Sequence, residues 1–209
     1  MLKIAVLVSG GGTNLQALLD AQRDGAISNG RIVLVISSKA NAFALERARK
    51  AGVPTCVIAR KDFPGNAEMT RAIVAKLQQV QIDLVVLAGF LHILTTEMVT
   101  AYPNRILNVH PSLIPAFCGA GYYGLKVHEA ALAYGVKVTG ATVHFVTEEP
   151  DGGPIILQKA VEIREGDTPE ILQERVMEQA EWKLLPQAVS LFCTGKLSID
   201  GRIVHILDR

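Results

Sequence analysis

Apolar, β-branched runs alternate along this chain with stretches in which apolar residues recur every three or four positions. That alternation predicts strands followed by helices. Strands are expected at Leu2–Val8, Ile32–Ile36, Thr55–Ile58 and Leu84–Leu87, with helices at Thr13–Arg23, Ala42–Ala51 and Asn66–Val80 between and after them. The second helix is followed by Gly52 and Pro54, the usual chemistry of a helix stop. Strands joined through helices pair in parallel, so the first half predicts a mostly parallel twisted sheet with helices on both faces. A further strand near Arg105–Val109 runs into His110–Pro115 and then into a glycine- and aromatic-rich stretch that reads as loop as far as Gly124. Beyond it the pattern gives a helix over Leu125–Tyr134, two long strands at Val138–Val146 and Ile155–Ile163, and a helix opening at Thr168-Pro169. The tail from Lys196 to Ile206, broken at Asp200-Gly201, reads as a hairpin. No repeat, low-complexity tract or linker interrupts the pattern. The expected fold class is therefore α/β and Rossmann-like, a single domain over residues 1–209 with an antiparallel strand pair in its C-terminal half.

Composition narrows the function. The chain has 209 residues, 49% hydrophobic and 20% charged, enough for a substantial core. With Lys+Arg 21 against Asp+Glu 20, no bulk field argues for a nucleic acid or membrane partner, and small-molecule substrates are expected. The apolar N-terminal run is too short to span a bilayer and lacks the layout of a signal peptide. Three widely spaced cysteines, Cys56, Cys118 and Cys193, fit a reducing cytoplasm and argue against a structural zinc site. No metal is expected.

Two clusters carry candidate chemistry. Ser9-Gly10-Gly11-Gly12-Thr13-Asn14 lies between the first strand and the first helix, where free N–H groups and the helix dipole hold an anion. Position 15 is Leu where a dinucleotide loop needs Gly, and no G-K-[ST] follows, so a single phosphate monoester suits the loop better than a dinucleotide or a triphosphate. The same glycines could instead serve only a tight strand-to-helix turn. The second cluster is Asn108 and His110, two positions apart at the end of a strand and hence on one face, with Asp151 in the turn between the two long strands. Amide, imidazole and carboxylate suit acyl transfer, in which an oxyanion is stabilised and a proton moved. Each also has an ordinary structural reading: His110 as a core histidine, Asn108 as a turn former, and Asp151 as the first residue of a type I turn.

Four segments together resemble the folate-dependent formyltransferase family, and more closely its glycinamide ribonucleotide branch. They are S-G-G-G-T-N-L-Q at Ser9–Gln16, A-G-F-L-H-I-L at Ala88–Leu94, N-V-H-P-S-L-I-P at Asn108–Pro115 and T-V-H-F-V-T-E-E-P-D-G-G-P at Thr142–Pro154. The H-P-S-L-x-P segment belongs to the wider family, whereas the glycine loop and the chain length favour the branch. The resemblance implies transfer of a formyl group from the co-substrate 10-formyltetrahydrofolate to the amine of glycinamide ribonucleotide, in purine synthesis. It implies Asn108, His110 and Asp151 as catalytic residues, with Asn108 donating to the oxyanion and His110 cationic beside Asp151. Gly12, Thr13 and Asn14 match its ribonucleotide phosphate site, and Glu181, five residues before Pro186, matches an acid touching the same substrate. On the folate side, Leu91, His92, Ile93 and Leu94 match a loop whose backbone recognises the pterin. Asn108 adjoins it, and Glu148, Glu149, Pro150, Asp151 and Gly152 match the loop on the opposite edge.

The sequence departs from the family in two places. A basic residue that some members carry near Gly65 has no counterpart in Asp62–Asn66, and Cys118–Gly124 is longer than in some relatives. A cis bond is expected at Ile114-Pro115, as in the family. The rival readings are a formyltetrahydrofolate hydrolase and an inactive folate- or nucleotide-binding module. A tRNA-directed relative with a C-terminal nucleic-acid-binding domain is not expected at this length and charge. Monomer and homodimer both remain open. His128 and His205 read as ordinary packing or surface residues, and His144 as a neighbour of the site.

Overall fold

A computed structural model describes residues 1–207. Among the described residues nine strands, β1 (Leu2–Val8), β2 (Gly30–Ser37), β3 (Thr55–Val57), β4 (Leu84–Leu87), β5 (Ile106–His110), β6 (Val138–Phe145), β7 (Ile155–Glu162), β8 (Leu197–Asp200) and β9 (Ile203–Ile206), form one sheet in the order β3-β2-β1-β4-β5-β6-β7-β9-β8. From β3 across to β5 every neighbouring pair is parallel. β5, β6 and β7 then pair antiparallel, and the β8–β9 hairpin attaches through β9 to the edge of β7.

The helices are α1 (Thr13–Arg23), α2 (Phe43–Lys50), α3 (Asn66–Val80), α4 (Thr96–Ala101), α5 (Leu125–Tyr134), α6 (Pro169–Val176) and α7 (Trp182–Cys193). Alternation along β1 splits the core into two layers. Ile4, Val6 and Val8 pack with apolar residues of α1, α2, α6 and α7, while Ala5 and Leu7 pack with Met69, Ile73 and Leu77 of α3 and Met98 of α4. Each fully buried Leu, Ile or Met side chain contributes about 1.5–3 kcal/mol relative to exposure, so both helix layers are held firmly to the sheet.

Three local features differ from the sequence expectations. β5 runs one residue later than expected and ends on His110, which places that ring at the rim of the sheet. α4 occupies a stretch for which no helix was expected. The helix opening at Thr168-Pro169 passes through a π-helical turn at Met177–Glu181 before continuing as α7, with Pro186 inside it. The Thr168 hydroxyl accepts from the Ile171 N–H, which starts α6 as a helix cap should. The Ile114-Pro115 peptide is cis, as expected.

Candidate active site

The chain leaves β1 for β2 on one side and returns to β4 on the other, so the C-terminal ends of β1 and β4 flank a switch point where open α/β sheets hold their ligands. A cavity of about 600 Å³ opens there. Its walls come from Gly10–Asn14 after β1, Ala88–Ile93 after β4, Asn108–Pro111 at the end of β5, the 119–124 loop, Pro150 and Asp151, and Gln173, Met177 and Glu181.

Antiparallel register sets Asn108 opposite His144 and His110 opposite Thr142. Asn108 Nδ2 accordingly lies 3.2 Å from His144 Nε2 and 3.4 Å from Asp151 Oδ1. His144 Nδ1 lies 2.8 Å from the Phe145 carbonyl, and its Nε2 is also 3.5 Å from Asp151 Oδ1. His110 Nδ1 is 3.4 Å from Asp151 Oδ2, and its Nε2 donates to the Phe117 carbonyl at 2.9 Å. The Gly119 N–H donates to the same Asp151 Oδ2 at 2.9 Å. Main chain of the 116–124 loop therefore grips both members of the His110–Asp151 pair.

Asp151 itself is the third residue of a turn closed by the Gly152 N–H to the Glu149 carbonyl at 3.0 Å, and its φ is +53°. A positive φ at that position, after Pro150, defines a type II turn over residues 149–152. Burial would raise the Asp151 pKa. The hydrogen bond from His144, the charge of His110 and the Gly119 N–H together outweigh burial and hold the group below its ordinary value.

For His110 the balance falls the other way. Burial holds its pKa below the ordinary value, and the opposing pull of Asp151 and the Phe117 carbonyl does not offset it. Burial thus works against the expected cationic His110, while the geometry favours it: Nε2 faces the Phe117 carbonyl and Nδ1 faces the Asp151 carboxylate.

At the other end of the cavity, Gly12 caps α1 with φ +74° and no side-chain hydrogen bond. Glu181, fully buried from the π-helical turn, accepts from Asn14 Nδ2 at 2.7 Å, and burial pushes its pKa up to about 7. The Thr13 hydroxyl lies 3.5 Å from Met177 Sδ. Between the two ends, Phe90 and His92 meet edge to face, and Leu91 and Ile93 stand exposed.

Residues 2–189 match the family described as Formyl transferase. The chain belongs to the formyl transferase family. Among similar formyl transferases, the phosphoribosylglycinamide formyltransferase of Haemophilus influenzae is 43% identical over 206 residues, covering 99% of this chain and 94% of its own. The trifunctional purine biosynthetic protein adenosine-3 of Bos taurus is 45% identical over 99% of this chain, which spans 20% of that protein's length. The crystal structure of glycinamide ribonucleotide transformylase 1 from Symbiobacterium toebii superposes with a TM-score of 0.94 at 50% identity, covering 100% of this chain and 95% of that one.

The formyl transferase cavity gathers most of the residues singled out from sequence: Gly12, Thr13, Asn14, Leu91, His92, Ile93, Asn108, His110, Pro150, Asp151 and Glu181. Leu94 packs instead into the core with α3 and α4, and Glu148, Glu149 and Gly152 lie outside the cavity lining. His144 borders the site as expected, whereas His205 sits exposed on β9. Phe117 and Gly119 were not foreseen, because they act through main-chain atoms that carry no side-chain signature. Met177 and Gln173 were missed as well, each reading as an ordinary helix position. Among the described residues no group of three or more His, Cys, Asp or Glu side chains could hold a metal ion, and no helix is long and apolar enough to cross a membrane.

Proposed function

We propose that this chain transfers the formyl group of 10-formyltetrahydrofolate to the amine of glycinamide ribonucleotide, a step of purine biosynthesis, as one cytoplasmic domain over residues 1–209. The observation that carries the reading is the union, in one cavity, of a helix-capping glycine loop with the Asn108–His110–Asp151 cluster. The names of the relatives agree with it. The glycine loop with Thr13 and Asn14 holds the phosphate, and Glu181 binds the ribonucleotide beside it. The backbone around Leu91–Ile93 and the Pro150–Asp151 edge hold the folate.

The amine forms a C–N bond to the formyl carbon, the bond from that carbon to the folate nitrogen breaks, and the amine's proton ends on that nitrogen. Asn108 Nδ2, whose contact to Asp151 is long at 3.4 Å, turns one hydrogen to the carbonyl oxygen as it gains charge. In its neutral form, which burial favours, His110 can accept the amine's proton at Nδ1. Asp151 stabilises the imidazolium that forms, and His110 then returns the proton to the departing nitrogen.

The test is absorbance-monitored conversion of 10-formyldideazafolate with and without glycinamide ribonucleotide. Deformylation that depends on the ribonucleotide and yields its formylated product supports the transferase. Deformylation without it would make the chain a hydrolase, and no conversion in either case would leave a binding module.

A further inference from the structure

The glycine loop is clamped from behind by α2. The Ala44 N–H donates to the Gly10 carbonyl at 3.1 Å, and Arg47 Nε donates to the Gly11 carbonyl at 2.8 Å. The same guanidinium reaches Gln16 of α1 through Nη1 at 3.1 Å and lies over the Phe43 ring, 5.0 Å from its centroid. In a planar trans peptide the C=O and the following N–H point in opposite directions. A Gly11 carbonyl drawn outward to Arg47 therefore turns the Gly12 N–H inward, and the Gly10 carbonyl held by Ala44 does the same for the Gly11 N–H. Both residues line the cavity.

Two further observations bear on this loop. Among the described residues Arg47 enters no ion pair, so no carboxylate neutralises its charge. Asn14, only 8% exposed and part of the same cavity wall, keeps Oδ1 without a partner while Nδ2 serves Glu181. This end of the cavity thus presents main-chain N–H donors beside an Asn14 Oδ1 that still lacks a donor.

We propose that Arg47 is a positioning residue for phosphate binding, aiming the Gly12 N–H into the cavity by holding the Gly11 carbonyl and adding an unneutralised positive charge behind the loop. The proposal rests on the reading of Gly10–Asn14 as the phosphate site. Arg47 does not touch the phosphate; it acts through the peptide between Gly11 and Gly12. A lysine at this position keeps the charge but not the fork that joins loop and helix.

The experiment compares the parent, Arg47→Gln and Arg47→Lys with glycinamide ribonucleotide and with its dephosphorylated riboside, alongside calorimetric titration with inorganic phosphate. A charge-assisted hydrogen bond is worth enough that Arg47→Gln is expected to raise the ribonucleotide KM about tenfold and weaken phosphate binding about tenfold. Its kcat and its KM for the folate donor should stay within about twofold and its kcat/KM for the riboside should be unchanged, since neither depends on the phosphate. Arg47→Lys should fall between the two. Equal losses on ribonucleotide and riboside would reduce Arg47 to a general structural role and overturn the proposal. So would ribonucleotide KM and phosphate affinity both staying within about twofold of the parent. Should the parent show no ribonucleotide-dependent turnover, the functional reading falls and the phosphate titration alone decides the role of Arg47. Absence of phosphate binding by the parent would overturn it.

Discussion

At His110 two opposing influences meet. Burial disfavours the imidazolium and wins, while Asp151, 3.4 Å from Nδ1, favours it. The ring can therefore take a proton when the substrate offers one, and the carboxylate stabilises the charge that results. Asp151→Asn removes the charge with little change of shape, and its amide oxygen can still accept from the Gly119 N–H. Without the carboxylate the His110 pKa drops further, so the acid limb of the kcat/KM profile, which reports loss of the neutral base, should move to lower pH. Turnover should fall by roughly a hundredfold to ten-thousandfold, the range of positioned proton transfer. A pH–rate profile measures both, and an unmoved acid limb would remove Asp151 from this role. The Asn108–His110 pair was legible in the sequence because strand alternation fixes which side chains share a face. The protonation state of His110 was not, since it depends on how deeply the closed fold buries the ring.

Between residues and the whole sit the elements, and here the contact of α2 with the glycine loop sets the tolerances. A Cβ on Gly12 would meet the Ala44 Cβ at 2.6 Å and its Cα at 2.8 Å, on a backbone already at φ +74°. The left-handed conformation costs a non-glycine residue about 1–2 kcal/mol and overpacking about 1–3 kcal/mol more. Gly12→Ala should accordingly lower stability in urea unfolding by about 2–5 kcal/mol. It should also raise the ribonucleotide KM, because the loop must lift off α2. Gly10→Ala is the control: nothing lies within 4 Å of its Cβ, and the change should stay within about 0.5 kcal/mol. Equal effects at the two positions would refute the clamp.

The long helices α1, α3 and α5 were legible from periodicity. The six residues of α4 complete less than two turns and give no usable period. The π-helical turn keeps a helix-like apolar pattern, so only the coordinates reveal that it brings both Met177 and Glu181 to the cavity. Pro186 signals a break by its chemistry, yet it sits buried within α7, where tertiary packing overrides local preference.

Over the whole molecule, two buried groups give global stability opposite responses to pH. Glu181 is raised from 4.5 to about 7 on folding, so its contribution is most favourable below pH 4.5 and is lost as pH rises toward 7. His128 on α5 is fully buried with neither ring nitrogen hydrogen-bonded, and burial lowers its pKa from 6.5 to about 4. Its contribution is intact above pH 6.5 and lost as pH falls toward 4. Each shift corresponds to roughly 3 kcal/mol across its window, and between pH 4.5 and 6.5 the two slopes nearly cancel. His110 and Asp151, both lowered, act in the same direction as His128. Single substitutions should therefore expose slopes that the parent conceals. The stability of Glu181→Gln minus that of the parent should grow by roughly 3 kcal/mol from pH 4.5 to 7, since the amide keeps an acceptor for Asn14 and cannot ionise. The corresponding difference for His128→Leu should be largest near pH 4 and shrink by a similar amount up to pH 6.5, because the unpartnered ring no longer charges on unfolding. Urea unfolding at half-unit pH steps measures both differences against one parent curve. Difference curves flat with pH would show that neither group is buried in its neutral form, and slopes of equal sign would contradict the assignment of one of them.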